Sequence, residues 1–404
     1  MCDGVRGVAV VVALAPTLAV MRWVFLRPVG IVGVLGLCVA AVTTASVASV
    51  EARDSAASGP KGLLLSLDAA TGREEWRAST PGSFAVEDVS KSVVVGRGFP
   101  CTSGPFETVA YAAGDGSELW RGPAAKDFPS TRGGEFMRNG SSRSGIVVVQ
   151  AGKELQGRQA RTGKVRWRAP IQPYPSVSVT SDNVFLASGV GAVDQSAVQA
   201  LNRRTGESQW TVPFGTGSQA FASASLNAVA VELIDHEAKA VRTQVLDSRD
   251  GTLRWKSDGV PAAITDSIVV LQRTSPGLLL GPLVGIVVRD TMTGRQLWER
   301  ELAGYVVEPP IHGRLVGFNE RSTRVFAART GRVLWTREGA FAPLVVGEKL
   351  VILWSPPRTL IAVDARTGRE QWQTTLPKGA AGTNSVTIGA GVVYVTVGCA
   401  PNAN

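Results

Sequence analysis

One short pattern, repeated eight times, limits what this chain can fold into more than any other feature. Its copies read TGREEW (71–76), DGSELW (115–120), TGKVRW (162–167), TGESQW (205–210), DGTLRW (250–255), TGRQLW (293–298), TGRVLW (330–335) and TGREQW (367–372). In each the glycine precedes the tryptophan by four residues. Eight of the ten tryptophans, namely Trp76, Trp120, Trp167, Trp210, Trp255, Trp298, Trp335 and Trp372, occupy this position. Successive ones lie 37 to 47 residues apart. That is the interval of a four-stranded propeller blade, and no long amphipathic helical pattern accompanies it.

Before each glycine runs an apolar, strand-like segment, such as 197–202 or 359–364, and after it a short segment ends on the aromatic, which reads as a hairpin. Glycine takes a positive φ at the turn without a Cβ clash, while the Thr or Asp oxygen bonds back to turn backbone. Asp68, Asp247, Asp290 and Asp364, with Asn202 in the same place, stand four residues before the glycine and suit capping of the turn amides. The Trp is expected to fill the wedge between adjacent blades, burying about 150 to 250 Å² if it packs fully. A cofactor stacked on one of the eight would displace that packing.

The second half of each repeat follows the Trp and reads as two more strands around a polar turn, as in PSVSVTSDNVFLA (175–187), PLVVGEKLVILW (343–354) and NSVTIGAGVVYVTV (384–397). Four strands per repeat and eight repeats predict an all-β, eight-bladed β-propeller. The chain begins this region with an outer hairpin alone (62–76) and ends it with an inner pair alone, so the two ends are expected to complete one shared blade and remove an open sheet edge.

The best copy, AVDARTGREQW (362–372), resembles the ALDxxTGxxxW repeat of the pyrroloquinoline-quinone-like (PQQ-like) β-propellers. The resemblance covers roughly residues 62–398. It implies the propeller fold and two kinds of function. One is that of quinoprotein alcohol dehydrogenases, which hold the quinone and a calcium ion on the propeller axis. The other is that of non-catalytic scaffolds of the bacterial envelope, which bind other proteins. Fold alone does not choose between them.

Residues 1–50 read as a signal peptide or transmembrane anchor, 51–61 as a polar linker, 62–398 as the propeller and 399–404 as a tail. Residues 29–50 form 22 residues without a charge, long enough to cross a bilayer, and Arg22 and Arg27 precede them. The arginines belong on the inner side, which puts the propeller outside the cytoplasm, at the cell membrane or secreted. The segment is either retained or cut after Ser46-Val47-Ala48. Met1 and Met21 are alternative starts. Cys38 lies in a sequence resembling a lipoprotein box but with Leu37 where a small residue is expected.

Cys101 and Cys399 each follow the second inner strand of their repeats, and ring closure makes those repeats neighbours. A disulfide between them is expected in an oxidising compartment. The net charge is +9, and much of it stands at the hairpin turns: Arg161, Arg204, Arg249, Arg329 and Arg366 before the glycines, Arg73, Lys164, Arg295, Arg332 and Arg369 after them. These turns share a face, so one rim is expected to be basic and able to attract an anionic surface. No aromatics interleave with this charge, and nucleic acid is not expected as a partner.

The longer connections, 96–107, 121–135 and 272–285, belong to the opposite face, where propellers usually place function. The last holds Leu278, Leu279, Leu280 and Leu283, too apolar for an ordinary exposed loop, and is read either as a lid over the channel or as a partner-binding surface.

His236 and His312 stand in different repeats with no companion at metal-ligand spacing. No nucleophile elbow and no phosphate-cradling glycine loop occurs. Glu87, Asp88, Asp266 and Glu308 are acids near inner strands but match no motif of the family, and the adjacent cysteines common in quinoprotein dehydrogenases are absent. The sequence thus predicts no catalytic residue and no metal site, and it predicts no cofactor beyond the quinone and calcium that the resemblance implies. The expected role is a protein-binding scaffold or ligand-sensing ectodomain, with an envelope protein as partner. A quinone-dependent alcohol dehydrogenase is the alternative.

Overall fold

Each repeat folds into antiparallel strands whose outer pair turns at the Thr-Gly or Asp-Gly step. The computed structural model describes residues 62–101, 104–124, 145–171, 176–188, 196–215, 218–235, 240–274, 283–301, 306–311, 313–339, 341–377 and 383–399. Among these residues there is no helix, and the strands form an eight-bladed propeller. Six blades take four strands in chain order: 83–123 (blade 1), 176–215 (blade 3), 218–258 (blade 4), 260–301 (blade 5), 306–338 (blade 6) and 342–375 (blade 7). Blade 2 has three described strands, Ile146–Ala151, Glu154–Gln159 and Val165–Pro170.

Blade 8 joins the two ends of the propeller. Its inner strands are Thr383–Gly389 and Val392–Val397, and its outer strands are Gly62–Asp68 and Glu74–Thr80. Leu63 pairs with Val397 and Asp68 with Val392 in an antiparallel ladder. Beside this seam Cys101 and Cys399 are joined in a disulfide with Cα atoms 5.8 Å apart, linking blade 1 to blade 8.

Adjacent blades are held by one contact used eight times. The Trp76 indole N–H donates to the Ala113 carbonyl at 2.9 Å, Trp120 to Ala160 at 2.7 Å, Trp167 to Arg203 at 2.8 Å and Trp210 to Ser248 at 3.1 Å. Trp255 donates to Thr291 at 3.0 Å, Trp298 to Ala328 at 2.9 Å, Trp335 to Ala365 at 3.1 Å and Trp372 to Ala69 at 2.9 Å. The acceptor always stands three residues before the glycine of the next blade, and the bonds run once around the ring.

The glycine itself lies against the same indole. At Gly163, with φ +67°, an added Cβ would stand 2.7 Å from the Trp120 ring; at Gly368 it would stand 2.7 Å from that of Trp335. The glycine is therefore required twice, by the backbone of its turn and by the tryptophan of the preceding blade. Trp76, Trp167, Trp335 and Trp372 are buried, and the other four are half-buried, so full burial holds for half of the set.

The core is divided in the same way. Each of eight apolar clusters straddles one blade boundary: Leu360 and Trp372 of blade 7 pack with Leu65 and Val393 of blade 8, for example, and Val148 and Leu155 of blade 2 with Val177 and Val184 of blade 3. The outer hairpin turns and the inner-pair turns lie together on one end of the propeller, the turn face. The connections between second and third strands lie on the other, the connection face.

Strands reach further into the connections than the sequence suggests. The second strand of blade 1 extends to Phe99, the fourth includes Arg121, and the strands flanking the third connection run to Thr274 and from Leu283. Leu278, Leu279 and Leu280 lie outside the described residues, as does the side chain of Leu283.

Candidate functional site

The position three residues before the repeat's glycine is small except at one place on the turn face, where blades 1 to 3 meet. Seven copies carry Ala, Ser or Thr three residues before the glycine: Ala69, Ala113, Ala160, Ser248, Thr291, Ala328 and Ala365. The eighth carries Arg203, whose side chain is fully buried. Its Nε and Nη2 donate to the Ile146 carbonyl of blade 2 at 3.1 and 2.7 Å, and its Nη1 donates to the Thr180 carbonyl of blade 3 at 2.8 Å. Nη2 also meets Asp88 Oδ2 of blade 1 at 3.0 Å. One guanidinium thus ties three blades, which its planar fork of five donors permits and a lysine ammonium would not.

Asp88 reaches this pairing from the innermost strand of blade 1, Ser83–Val89. Pairing with the next strand shifts between Val86 and Asp88, so Glu87 is an extra residue in a β-bulge. A regular strand would send Glu87 and Asp88 to opposite faces. With the bulge both side chains are largely withdrawn from solvent, and Glu87 pairs with Arg97, itself buried in the neighbouring strand. Glu87 Oε2 and Asp88 Oδ1 have no hydrogen-bond partner among the described residues.

The electrostatics follow from that burial. Loss of water pushes the Asp88 carboxyl up to about 7, against the pull of Arg203. Burial likewise raises Glu87, outweighing the charge and hydrogen bond of Arg97. Desolvation lowers Arg203, partly offset by Asp88. Two carboxyls and two guanidiniums are therefore paired in one buried group.

Among the described residues that arrangement offers no open set of oxygens for a calcium-bound quinone. Such a site needs several carboxylate or amide oxygens converging on the axis, and among the described residues no group of three His, Cys, Asp or Glu side chains can hold a metal ion. Glu87 and Asp88, the described axial acids, are held by arginines. Cys101 and Cys399 bond to each other, 298 residues apart in sequence. Asp266 accepts the Asn227 amide at 3.2 Å across blades 4 and 5, a structural use. His236, His312, the Glu308 side chain and residues 1–61 with Cys38 lie outside the described residues.

Above the buried group lies the turn rim. All ten rim cations expected from the sequence are exposed. The rim is nevertheless basic only in part, because carboxylates alternate with them. Asp68 Oδ1 accepts the Thr71 amide at 2.8 Å, and Asp364 Oδ1 the Thr367 amide at 2.7 Å. The hydroxyls of Thr71 and Thr367 hold these two carboxyls below their usual range, so both carry charge. Asp247 and Asp290 cap the turns of blades 4 and 5 similarly, and Asp115 serves blade 1. In blades 2 and 3 the cap is neutral: Gln159 accepts from Thr162 and Arg166, and Asn202 from the amides of Arg204 and Thr205.

A family model described as outer membrane protein assembly factor BamB matches residues 27–184, 105–316 and 246–397. The chain is similar to outer membrane protein assembly factor BamB of Burkholderia pseudomallei (strain K96243), 31% identical over 114 residues, which cover 25% of this chain and 30% of that one. The match thus spans under a third of the relative's length. Among solved structures, BamB from Moraxella catarrhalis is similar with a TM-score of 0.49 and 15% identity, covering 78% of this chain and 96% of that one. The quinohemoprotein alcohol dehydrogenase ADHIIG from Pseudomonas putida HK5 is similar with a TM-score of 0.49 and 13% identity, covering 86% and 77%.

Proposed function

The chain belongs to the PQQ-like repeat family described as outer membrane protein assembly factor BamB, and on that premise we propose that it is a non-catalytic, extracytoplasmic binding scaffold of a bacterial envelope. The observation that carries this is the pairing of the axial acids with buried arginines. Glu87 and Asp88 face Arg97 and Arg203, and no open set of carboxylates converges to hold a metal-bound cofactor among the described residues. A relative named as an assembly factor supports an envelope protein as the partner class. In this reading residues 1–50 are the signal or anchor, 51–61 the linker and 62–398 the binding body, placed outside by Arg22 and Arg27.

Calorimetric titration of the full chain with pyrroloquinoline quinone and calcium, followed by a dye-reduction assay with simple alcohols, tests the reading. No heat of binding and no turnover is the expected outcome. Tight binding with turnover would replace the scaffold by a quinone-dependent dehydrogenase.

A further inference from the structure

The neutral caps of blades 2 and 3 leave a local charge excess that the repeat does not require. From Leu155 to Ser181 there are 27 residues with five cations, Arg158, Arg161, Lys164, Arg166 and Arg168, and no acid. Arg204 stands at the next turn. Arg158 is half-buried beside the Trp120 ring, 5.7 Å from its centre, and Arg168 pairs with Glu154 at 2.8 Å. The other four are exposed, and among the described residues no carboxylate lies within ion-pair distance of Arg161, Lys164, Arg166 or Arg204. Arg166 is held at the turn by its bond to Gln159 Oε1 at 2.8 Å.

Two carboxylates adjoin the group, and each has a local partner: Glu207 accepts the Thr205 hydroxyl at 2.9 Å, and Asp182 that of Ser181 at 2.9 Å. Blade 6 also lacks an acidic cap, with Ala327 in that place, but its Arg329 reaches Asp290 of blade 5 at 3.3 Å. Beneath these exposed cations, Arg203 fastens the blade 3 turn to blades 1 and 2, so the two turns are presented on a rigid base.

We propose that this sector of the turn face, Arg161, Lys164, Arg166 and Arg204, is a docking surface for an acidic segment of a partner protein. The inference deepens the scaffold reading and rests on it. Guanidiniums match carboxylates as two-pronged donors, and four cations on two neighbouring turns suit a short run of Asp and Glu. An anionic bilayer fits less well. A flat surface would meet the whole rim, including the charged Asp68, Asp115, Asp247, Asp290 and Asp364 on five other blades, whereas a single segment meets one sector, where cations outnumber carboxylates.

The test uses a fluorescent ten-residue polyglutamate peptide titrated into the full chain and followed by anisotropy. The double variant Arg161→Ala with Arg204→Ala should bind about tenfold more weakly, as expected for two or more exposed pairs. Its folding is protected because blade 8 builds the same turn with Ala70 in that position; an unchanged melting temperature is the check. Arg329→Ala with Arg366→Ala, on distant blades, should change binding less than about twofold, and added salt should weaken binding of the unaltered chain.

Equal weakening by both pairs would overturn the sector as a specific site, and so would absence of peptide binding. Binding to vesicles of phosphatidylglycerol and phosphatidylcholine beyond that to phosphatidylcholine alone, lost in the first variant while the peptide does not bind, would replace the protein segment by a lipid surface. The quinone titration separates this failure from that of the scaffold reading: no peptide binding together with no quinone binding removes the acidic partner and leaves the scaffold.

Discussion

The docking ring and the blade 1 to 3 sector are built from the same repeat and obey different rules. In the ring every tryptophan meets the glycine and backbone carbonyl of the next blade, eight times with one geometry. In the sector Arg203 replaces a small residue, and Gln159 and Asn202 replace aspartate. What is uniform holds the ring closed. Departures that leave the turn intact are free to serve something other than closure, which is why the proposed binding surface is sought among them.

The ring contact is expected to show the largest loss. Trp335→Ala removes a buried indole from the wedge between blades 6 and 7 and should cost about 3 to 5 kcal/mol in urea or guanidinium unfolding. Trp255→Ala, at a half-buried copy, should cost less. Equal costs would mean that burial does not set the strength of the contact. In the sector, Arg203→Ala leaves the Asp88 carboxylate buried without its partner and should cost about 3 to 5 kcal/mol above neutral pH. Adding Asp88→Asn should restore much of that loss, and simple additivity of the two changes would break the pairing.

The two regions also respond to pH with opposite sign. Asp88 has a folded value of about 7, above its ordinary 3.8. Between these values the folded chain holds a proton that the unfolded chain has released, so stability falls as pH rises through the window. Asp68 and Asp364 sit below their ordinary range, and their contribution is present above it and lost as pH falls through their folded values. Relative to Asp88→Asn, the unaltered chain should therefore lose on the order of 2 to 4 kcal/mol between pH 4 and 8, as read from denaturant midpoints. An unchanged difference across that window would place Asp88 in water rather than in the buried group.

The ring was legible in the sequence because its constraint recurs: a glycine and a tryptophan at fixed spacing cannot persist eight times unless each position meets the same neighbour. The shared closing blade was legible for a related reason, since a lone outer hairpin and a lone inner pair complete each other. The sector was not. Asp88 and Arg203 are 115 residues apart, and no local pattern announces a pairing across three blades. A signal existed in Arg203 itself, the one large residue in a column of Ala, Ser and Thr, but a second arginine follows it and the pair reads as rim charge. Likewise the basic rim was overestimated from the arginines alone, because the capping aspartates that offset them are the residues that make the turns.

The smallest expected effect compares two glycines of blade 2. Gly163 and Gly152 have nearly the same backbone, φ +67° and +62°, so an alanine meets similar left-handed strain at either, about 1 to 2 kcal/mol. Their surroundings differ. A Cβ at Gly152 would have nothing within 4 Å, whereas at Gly163 it would stand 2.7 Å from Trp120. Gly163→Ala should therefore cost more than Gly152→Ala, and the excess reads the indole contact apart from the turn. Removing that contact with Trp120→Ala should lower the penalty at Gly163 to the value at Gly152. If the two glycines gave equal losses in the unaltered chain, the ring would be held by its hydrogen bonds and apolar wedges, with the glycine serving the turn alone.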